Sequence, residues 1–253
     1  VVNVPPTLGD ADRLRLEGEK SRRRRMVWDA LEREGMARFP LPPHGRIPNF
    51  EGAREAAQEL VRTAEFRGAR VVKVNPDAPQ LPVRSEVLRS GKLLVMAVPR
   101  LREPRCFRLL RPGTAVSPTI EGGLSRGEPL LPEEVPPVDL VVVGSVVVGP
   151  RGERLGKGGG FSDLEWGLLS ARGQVGVGTR VATTIHPLQR SDANLPVLPH
   201  DVPLDLAATP AGVERFPTAL PRPTGILPED LSPATLSGIP WLREWMARRE
   251  RRR

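Results

Sequence analysis

The stretch Val138–Val148 constrains this chain more than any other. It reads Val-Asp-Leu-Val-Val-Val-Gly-Ser-Val-Val-Val, a β-branched apolar run split by Gly144-Ser145. Successive side chains of a strand point to opposite faces, so an apolar run without alternation must be covered on both. That is the pattern of a strand inside a parallel sheet flanked by helices. Shorter runs repeat it at Arg70–Asn75, Leu93–Val98, Phe107–Leu110, Val181–Ile185 and Leu204–Thr209. Helices are predicted over 10–34, 51–66, 80–90, 162–171 and 240–249, the first three followed by Gly35, Gly68 and Gly91. The first is expected to bury a face of Leu14, Leu16, Met26, Val27, Ala30 and Leu31. Residues 111–137, rich in Gly, Pro and Glu, read as loop. This order predicts an α/β fold, a three-layer α/β/α arrangement with a largely parallel central sheet. A helical arm and connector are expected over 1–50, the α/β domain over 51–212, and a Pro-rich C-terminal extension over 213–253.

Charge narrows the function classes. The net charge of +8 is concentrated in Lys20–Arg25 and in Leu242–Arg253. Basic clusters bind phosphate backbones, but the tail carries no motif and reads as a solvated helix end, whereas the first cluster lies within a helix and is placed to face a site. No apolar run approaches the roughly 20 residues that span a bilayer. The opening residues lack the basic-then-apolar order of a secretory signal, and the single cysteine, Cys106, excludes an internal disulfide framework. A cytoplasmic protein with no membrane partner is expected, with Cys106 as a packed thiol.

The sharpest local feature is Arg151-Gly-Glu-Arg-Leu-Gly-Lys-Gly-Gly-Gly-Phe-Ser-Asp163, which leaves the strongest strand and enters a helix. Consecutive glycines let backbone N–H groups approach an anion, and a helix N-terminus adds a favourable dipole. Arg154 and Lys157 supply charge for a phosphate, and Asp163 falls in the first helical turn. Neither the P-loop nor the dinucleotide fingerprint fits: Arg151 and Gly158 break the first, Phe161 the second.

Downstream, Thr183–Gln189 leaves a strand and Leu195–Asp205 follows. Loops leaving the carboxyl ends of parallel strands gather at one edge and form the site, so 156–163 and 186–201 are expected to meet. Asp163 and Asp201 could there share a hard cation such as Mg2+. His186 and His200 read equally well as loop hydrogen-bond partners.

Asp139–Val148 followed by Gly152–Asp163, with Gln189, Leu195-Pro196, His200-Asp201 and Asp205-Leu206, resembles the 5-formyltetrahydrofolate cyclo-ligase (methenyltetrahydrofolate synthetase) family. The resemblance is closer still to its domain-containing branch, through Phe39-Pro40, Arg46–Phe50, Val71–Gln80, Val98–Arg102, Thr224–Ile226 and Ile239-Pro240. It spans about residues 20–245. The resemblance implies ATP- and Mg2+-dependent ring closure of 5-formyltetrahydrofolate to 5,10-methenyltetrahydrofolate, through phosphorylation of the formyl oxygen. It further implies a reduced folate and ATP as small-molecule partners, to a monomer or homodimer.

Carried over residue by residue, the resemblance implies that Lys20 and Arg24 reach ATP. Arg154, Gly156, Lys157, Gly158, Gly159, Gly160, Phe161 and Ser162 form the nucleotide loop, with Lys157 and Arg154 catalytic. Asp163 and Asp201 hold the metal, and Asp77 with Phe161 contacts the folate. Three departures stand out. Phe161 and Ser162 replace two tyrosines in a chain with no tyrosine at all, Asp77 replaces a glutamate, and Gly144 replaces a proline. The alternative readings are a non-catalytic folate- or nucleotide-binding relative and an RNA-binding protein. The second lacks the aromatic stacking residues of single-strand readers.

Overall fold

A computed structural model describes residues 9–113, 118–216, 220–228, 231 and 233–250. The arginines at 251–253 lie outside the described residues. Helix α1 (Asp10–Arg33) leads to a short antiparallel pair, β1 (Ala37–Arg38) and β2 (Asn49–Phe50), around the proline connector. Next come α2 (Ala53–Val61), α3 (Ala64–Gly68), β3 (Val71–Val74), α4 (Leu81–Arg89), β4 (Leu93–Ala97) and β5 (Phe107–Leu110). Helix α5 (Ile120–Arg126) and β6 (Glu128–Leu130) precede the central strand β7 (Leu140–Val143). A second pair, β8 (Val147–Val148) and β9 (Arg154–Leu155), carries the chain into α6 (Phe161–Ser170). Strands β10 (Arg180–Thr184), β11 (Leu206–Thr209) and β12 (Gly212–Arg215) follow, then helices α7 (Pro233–Gly238) and α8 (Pro240–Glu250).

The main sheet has the order β12-β11-β10-β7-β3-β4-β5-β6. Five successive strands, β11, β10, β7, β3 and β4, are parallel, and antiparallel pairings, β11 with β12 at one end and β4 with β5 and β5 with β6 at the other, complete the sheet. Burial on both faces is visible within β7. Leu140 and Val142 pack with Leu60, Phe66 and Val83 of the α2–α4 layer, and Val141 and Val143 pack with Leu168, Leu169 and Leu242 on the other side. The three-layer expectation therefore holds, and the expected strands at 107–110 and 204–209 are present.

Several expectations are corrected. The predicted helix over 51–66 is two helices. Thr63 leaves helical geometry, its hydroxyl donates to Leu60 O at 2.6 Å, and it accepts from Phe66 N at 3.2 Å, so it caps a new helix. The run 138–148 is broken after Val143, as the Gly144-Ser145 split predicts, but Val147-Val148 pairs with β9 instead of extending β7. The segment expected as loop over 111–137 contains α5 and β6. Thr119 caps α5 by accepting from Gly122 N at 3.1 Å, and Pro129 is tolerated because β6 is an edge strand. In α1, Leu14 and Met26 are 74% and 59% exposed. The buried stripe is Lys20, Arg24, Val27 and Leu31, so the helix uses two of its inward positions for cations. Only its C-terminal half packs on apolar residues, against Ile47, Val146, Val147, Leu155 and Leu195.

The expected boundary at 212 falls inside the β11–β12 hairpin, and the extension packs on the core. Ile239, Leu242 and Trp245 are buried in the same cluster as α6, and Trp241 Nε1 donates to Leu101 O at 2.7 Å. Leu242→Ala should lower unfolding free energy by about 2–5 kcal/mol and leave a single transition in urea followed by tryptophan fluorescence. An unmoved midpoint would mean that the extension does not share the core.

Candidate functional site

The parallel strands end at one edge, and the segments leaving them build two adjoining clefts. The first, about 480 Å³, is lined among others by Asn75 and Asp77 after β3, Arg100 after β4, Gly144 after β7, and Lys157, Phe161 and Ser162 of the glycine loop. The second, about 420 Å³, is lined by Lys20 and Arg24 of α1, Gly158, and Leu198, His200 and Asp201. Arg154, Gly156, Gly159, Gly160 and Asp163 line both. The glycine loop is thus the partition between two chambers. Two of its residues, Gly158 and Gly160, have φ of 102° and 65°, a conformation that suits glycine and turns successive N–H groups to one side.

Arg154 fixes the root of the loop. Its Nη1 donates to Gly144 O at 3.1 Å, and its Nη2 to Asp163 Oδ1 at 2.5 Å. The same carboxylate oxygen accepts from Val202 N at 3.0 Å. Burial alone would raise the Asp163 carboxyl. The Arg154 charge and hydrogen bond, with the Val202 amide, hold it below the ordinary carboxylate value. Burial opposes charge on Arg154 too, and Asp163 more than restores it. Nε of Arg154 has no protein partner, leaving one buried donor of this guanidinium for a ligand or water. The loop passes close to its neighbours at Gly144, where a Cβ would lie 2.8 Å from Ile47 and 3.2 Å from the Asp77 carboxylate. A side chain there must displace one of them.

The N-terminal helix reaches the second chamber as expected. Lys20, 2% exposed, donates to Asp201 Oδ2 at 2.5 Å, and that oxygen also accepts from Leu198 N at 2.7 Å. Arg24 Nε donates to Gly156 O at 2.7 Å, and burial lowers its pKa. Of the segment 186–201 expected to meet 156–163, the part that lines the second cleft is Leu198, His200 and Asp201. His186 lines neither cleft and serves the local turn, its Nδ1 accepting from Leu188 N. Cys106 is buried, and burial pushes its thiol up, which suits a packed thiol.

Lys157 is paired with a carboxylate at the tip of the loop. It lines the first chamber, where Nζ donates to Asp77 Oδ1 at 2.9 Å. Ser162 accepts from Asn75 Nδ2 at 2.5 Å, and the Phe161 ring lies where a Cβ on Gly159 would approach it at 2.9 Å. Among the described residues no cluster of three or more His, Cys, Asp or Glu forms a metal site. Asp163 and Asp201 already bind Arg154 and Lys20 through one oxygen each. That donor set, two carboxylates lining one cleft, fits a cation whose other ligands are phosphate oxygens and water.

Two residues beneath the first chamber are given no role by the sequence reading, although Lys73 falls within the Val71–Gln80 run. Lys73, inside β3, donates to Asn75 Oδ1 at 2.8 Å and forms a short contact with Glu165 of α6. Burial raises the Glu165 carboxyl and Lys73 opposes it. The only signal for them is a charged residue in each of two apolar runs. Arg84 of α4 clamps the 75–77 turn, donating through Nη1 to Asn75 O at 2.6 Å and Asp77 O at 3.0 Å. Its burial depresses the guanidinium to about 10.

With this geometry in hand, comparison with known proteins is informative. The model of the 5-formyltetrahydrofolate cyclo-ligase family matches residues 16–210. The mouse (Mus musculus) methenyltetrahydrofolate synthase domain-containing protein is 40% identical over 227 residues, covering 87% of this chain and 61% of the relative. The human (Homo sapiens) protein of that name is 36% identical over 234 residues, covering 90% of this chain and 61% of the relative. The chain thus spans about three fifths of their length. The solution structure of Aquifex aeolicus 5,10-methenyltetrahydrofolate synthetase superposes with a TM-score of 0.53 at 22% identity. It covers 81% of this chain and 96% of that one, and so agrees in fold.

The Asp163 shift sets a pH test. A carboxyl depressed in the folded state contributes stability above its unfolded pKa and loses it as pH falls through the folded value. Asp163→Asn should therefore lower Tm at pH 7. The gap from the parent protein should narrow only below the ordinary value of 3.8. A gap that is constant across pH 2–7 would mean that the charge of Asp163 does not matter.

Proposed function

The chain belongs to the 5-formyltetrahydrofolate cyclo-ligase family, and from that premise we propose that it closes 5-formyltetrahydrofolate to 5,10-methenyltetrahydrofolate at the expense of ATP. One observation carries the reading: a glycine loop shared by two chambers of unlike chemistry. A reaction in which a phosphoryl group passes between two bound molecules needs such a partition, because both must touch the same small volume. The chamber with Lys20, Arg24 and the two aspartates suits the triphosphate. The chamber with Asp77, Asn75 and Phe161 suits the pterin.

In the proposed chemistry the formyl oxygen bonds to the γ-phosphorus as the bond to the ADP oxygen breaks. The neighbouring folate nitrogen then attacks the activated carbon, and phosphate leaves. Phosphoryl transfer asks the protein mainly for position and charge neutralisation. Arg154 stands on the partition and faces charge developing on either side of it. Lys20 and Arg24 neutralise the leaving end from the buried face of α1. Phe161 offers a ring face for stacking, and Asn75 and Asp77 offer the polar contacts that orient the folate. Asp163 and Asp201 would hold Mg2+, which when bound supplies further charge neutralisation at the phosphates.

Purified protein with 5-formyltetrahydrofolate and MgATP should develop the methenyl chromophore. Lys157, which can exchange Asp77 for a negative group of the incoming ligands, adds charge neutralisation at the transferred phosphoryl. Lys157→Ala should therefore cut kcat/KM by about a hundredfold and leave Tm unchanged, because its pair with Asp77 is half exposed. Absence of product under conditions that convert a control enzyme would overturn the catalytic reading. Retained ATP binding would then mark a non-catalytic binding relative.

A further inference from the structure

The residues matched by the family model end at 210, yet the site does not. Beneath the second chamber lies a smaller recess of about 60 Å³. Its far wall is built by the C-terminal extension, with Pro223, Ile226, Leu227, Leu231 and Thr235 facing Leu164 and Gly167 of α6. Gly159, Gly160, Asp163, His200, Leu231 and Thr235 border both spaces, so the recess opens directly from the chamber that holds the cations and the extension reaches that chamber too.

The wall is held in place by contacts that the recess itself does not require. Trp166 Nε1 donates to Pro223 O at 2.8 Å. At Gly167 a Cβ would lie 3.0 Å from Gly225 O, so helix and extension meet at backbone distance. Past the recess, Ile239, Leu242 and Trp245 anchor the extension in the core. The combined space has one end where Arg13, Lys20, Arg24 and Arg154 stand among Glu17 and Asp201, and another lined by aliphatic side chains with Asp163 and His200 as its ionisable groups. A ligand that fits has an anionic end and a flat, weakly polar end.

We propose that the C-terminal extension forms the base pocket of this protein, receiving the edge of a purine ring whose phosphates rest on the glycine loop. The recess alone is too small for a nucleotide, so sugar and phosphates stay in the larger chamber. A purine offers more surface to these walls than a pyrimidine. The proposal rests on the nucleotide reading above, and it assigns base recognition to Pro223, Ile226, Leu227, Leu231 and Thr235.

The test measures binding by calorimetry of ATP, CTP and inorganic tripolyphosphate, each with Mg2+. Wild-type protein should bind ATP about tenfold more tightly than the other two, a difference of about 1.4 kcal/mol. The double variant Ile226→Ala/Leu227→Ala should lose that advantage and keep its affinity for tripolyphosphate. Lys20→Ala should weaken all three. Equal binding of ATP and tripolyphosphate by wild type, or an ATP advantage retained by the double variant, overturns the base pocket and leaves the phosphate site standing. Failure of all three ligands to bind wild type removes the nucleotide reading and the pocket with it. Should the double variant not fold, photo-crosslinking of an azidopurine triphosphate to wild type decides. Label in the peptide spanning 220–238 supports the proposal, and label confined elsewhere overturns it.

Discussion

The ion pair between Arg154 and Asp163 is the interaction on which the functional end of this molecule depends. Both side chains are taken out of water, a loss of several kcal/mol per ion that only good geometry and further hydrogen bonds recover. The recovery is visible: Arg154 also reaches Gly144 O, and Asp163 also accepts the Val202 amide. Those bonds tie the end of β7, strand β9, the first turn of α6 and the 198–202 segment into one unit. Once that unit is set, the loop from Gly156 to Gly160 has fixed ends and can only arch between the two chambers.

The cations of α1 extend the same logic from outside the sheet. A helix whose buried stripe is Lys20, Arg24, Val27 and Leu31 cannot dock on an apolar surface along its whole length. Its last turns pack on Ile47 and Val146, while its middle turns need oxygen partners. Asp201 and the carbonyl of Gly156 provide them. Docking of the arm and assembly of the second chamber are therefore one event, because the groups that fix the helix are the groups that line the cleft. The extension does the corresponding work on the other side of α6, where Trp166 and Gly167 receive it.

What could be read from sequence follows from how local each signal is. The inner strands are legible because β-branched runs between glycines and prolines leave little choice of structure. The glycine loop is legible because its residues are consecutive. The mistaken face on α1 came from counting Leu14 and Met26 as inward by type, when the inward positions are set by oxygen atoms far away in sequence. Helix α5 was hidden by Gly122 and Gly123, which have low helix propensity; Gly123 is small because Met96 and Leu110 lie against it. Strand β6 was hidden by Pro129. Lys73 and Glu165 were invisible as a pair, since their meaning arises only when β3 and α6 are stacked.

The loop's root and tip differ in strength, and that difference bears on how the site can work. At the root, Arg154 and Asp163 are 2% and 10% exposed, and removing either partner strands a buried charge. At the tip, Lys157 is 43% exposed, and its bond to Asp77 is of the kind worth about 0.2–1 kcal/mol. A ligand entering the first chamber can replace that bond at little cost. Lys157 is then released to follow whichever negative group arrives, and Asp77 is released to meet a donor. Beside the Phe161 ring, the bond from buried Asn75 to Ser162 is instead held in place, since Lys73 fixes the Asn75 amide from the other side. Where the family places two tyrosines, this chain has a ring without a hydroxyl and a hydroxyl without a ring. In the proposed reaction the polar contacts that orient the folate then fall to Asn75 and Asp77, on the turn that Arg84 clamps from below.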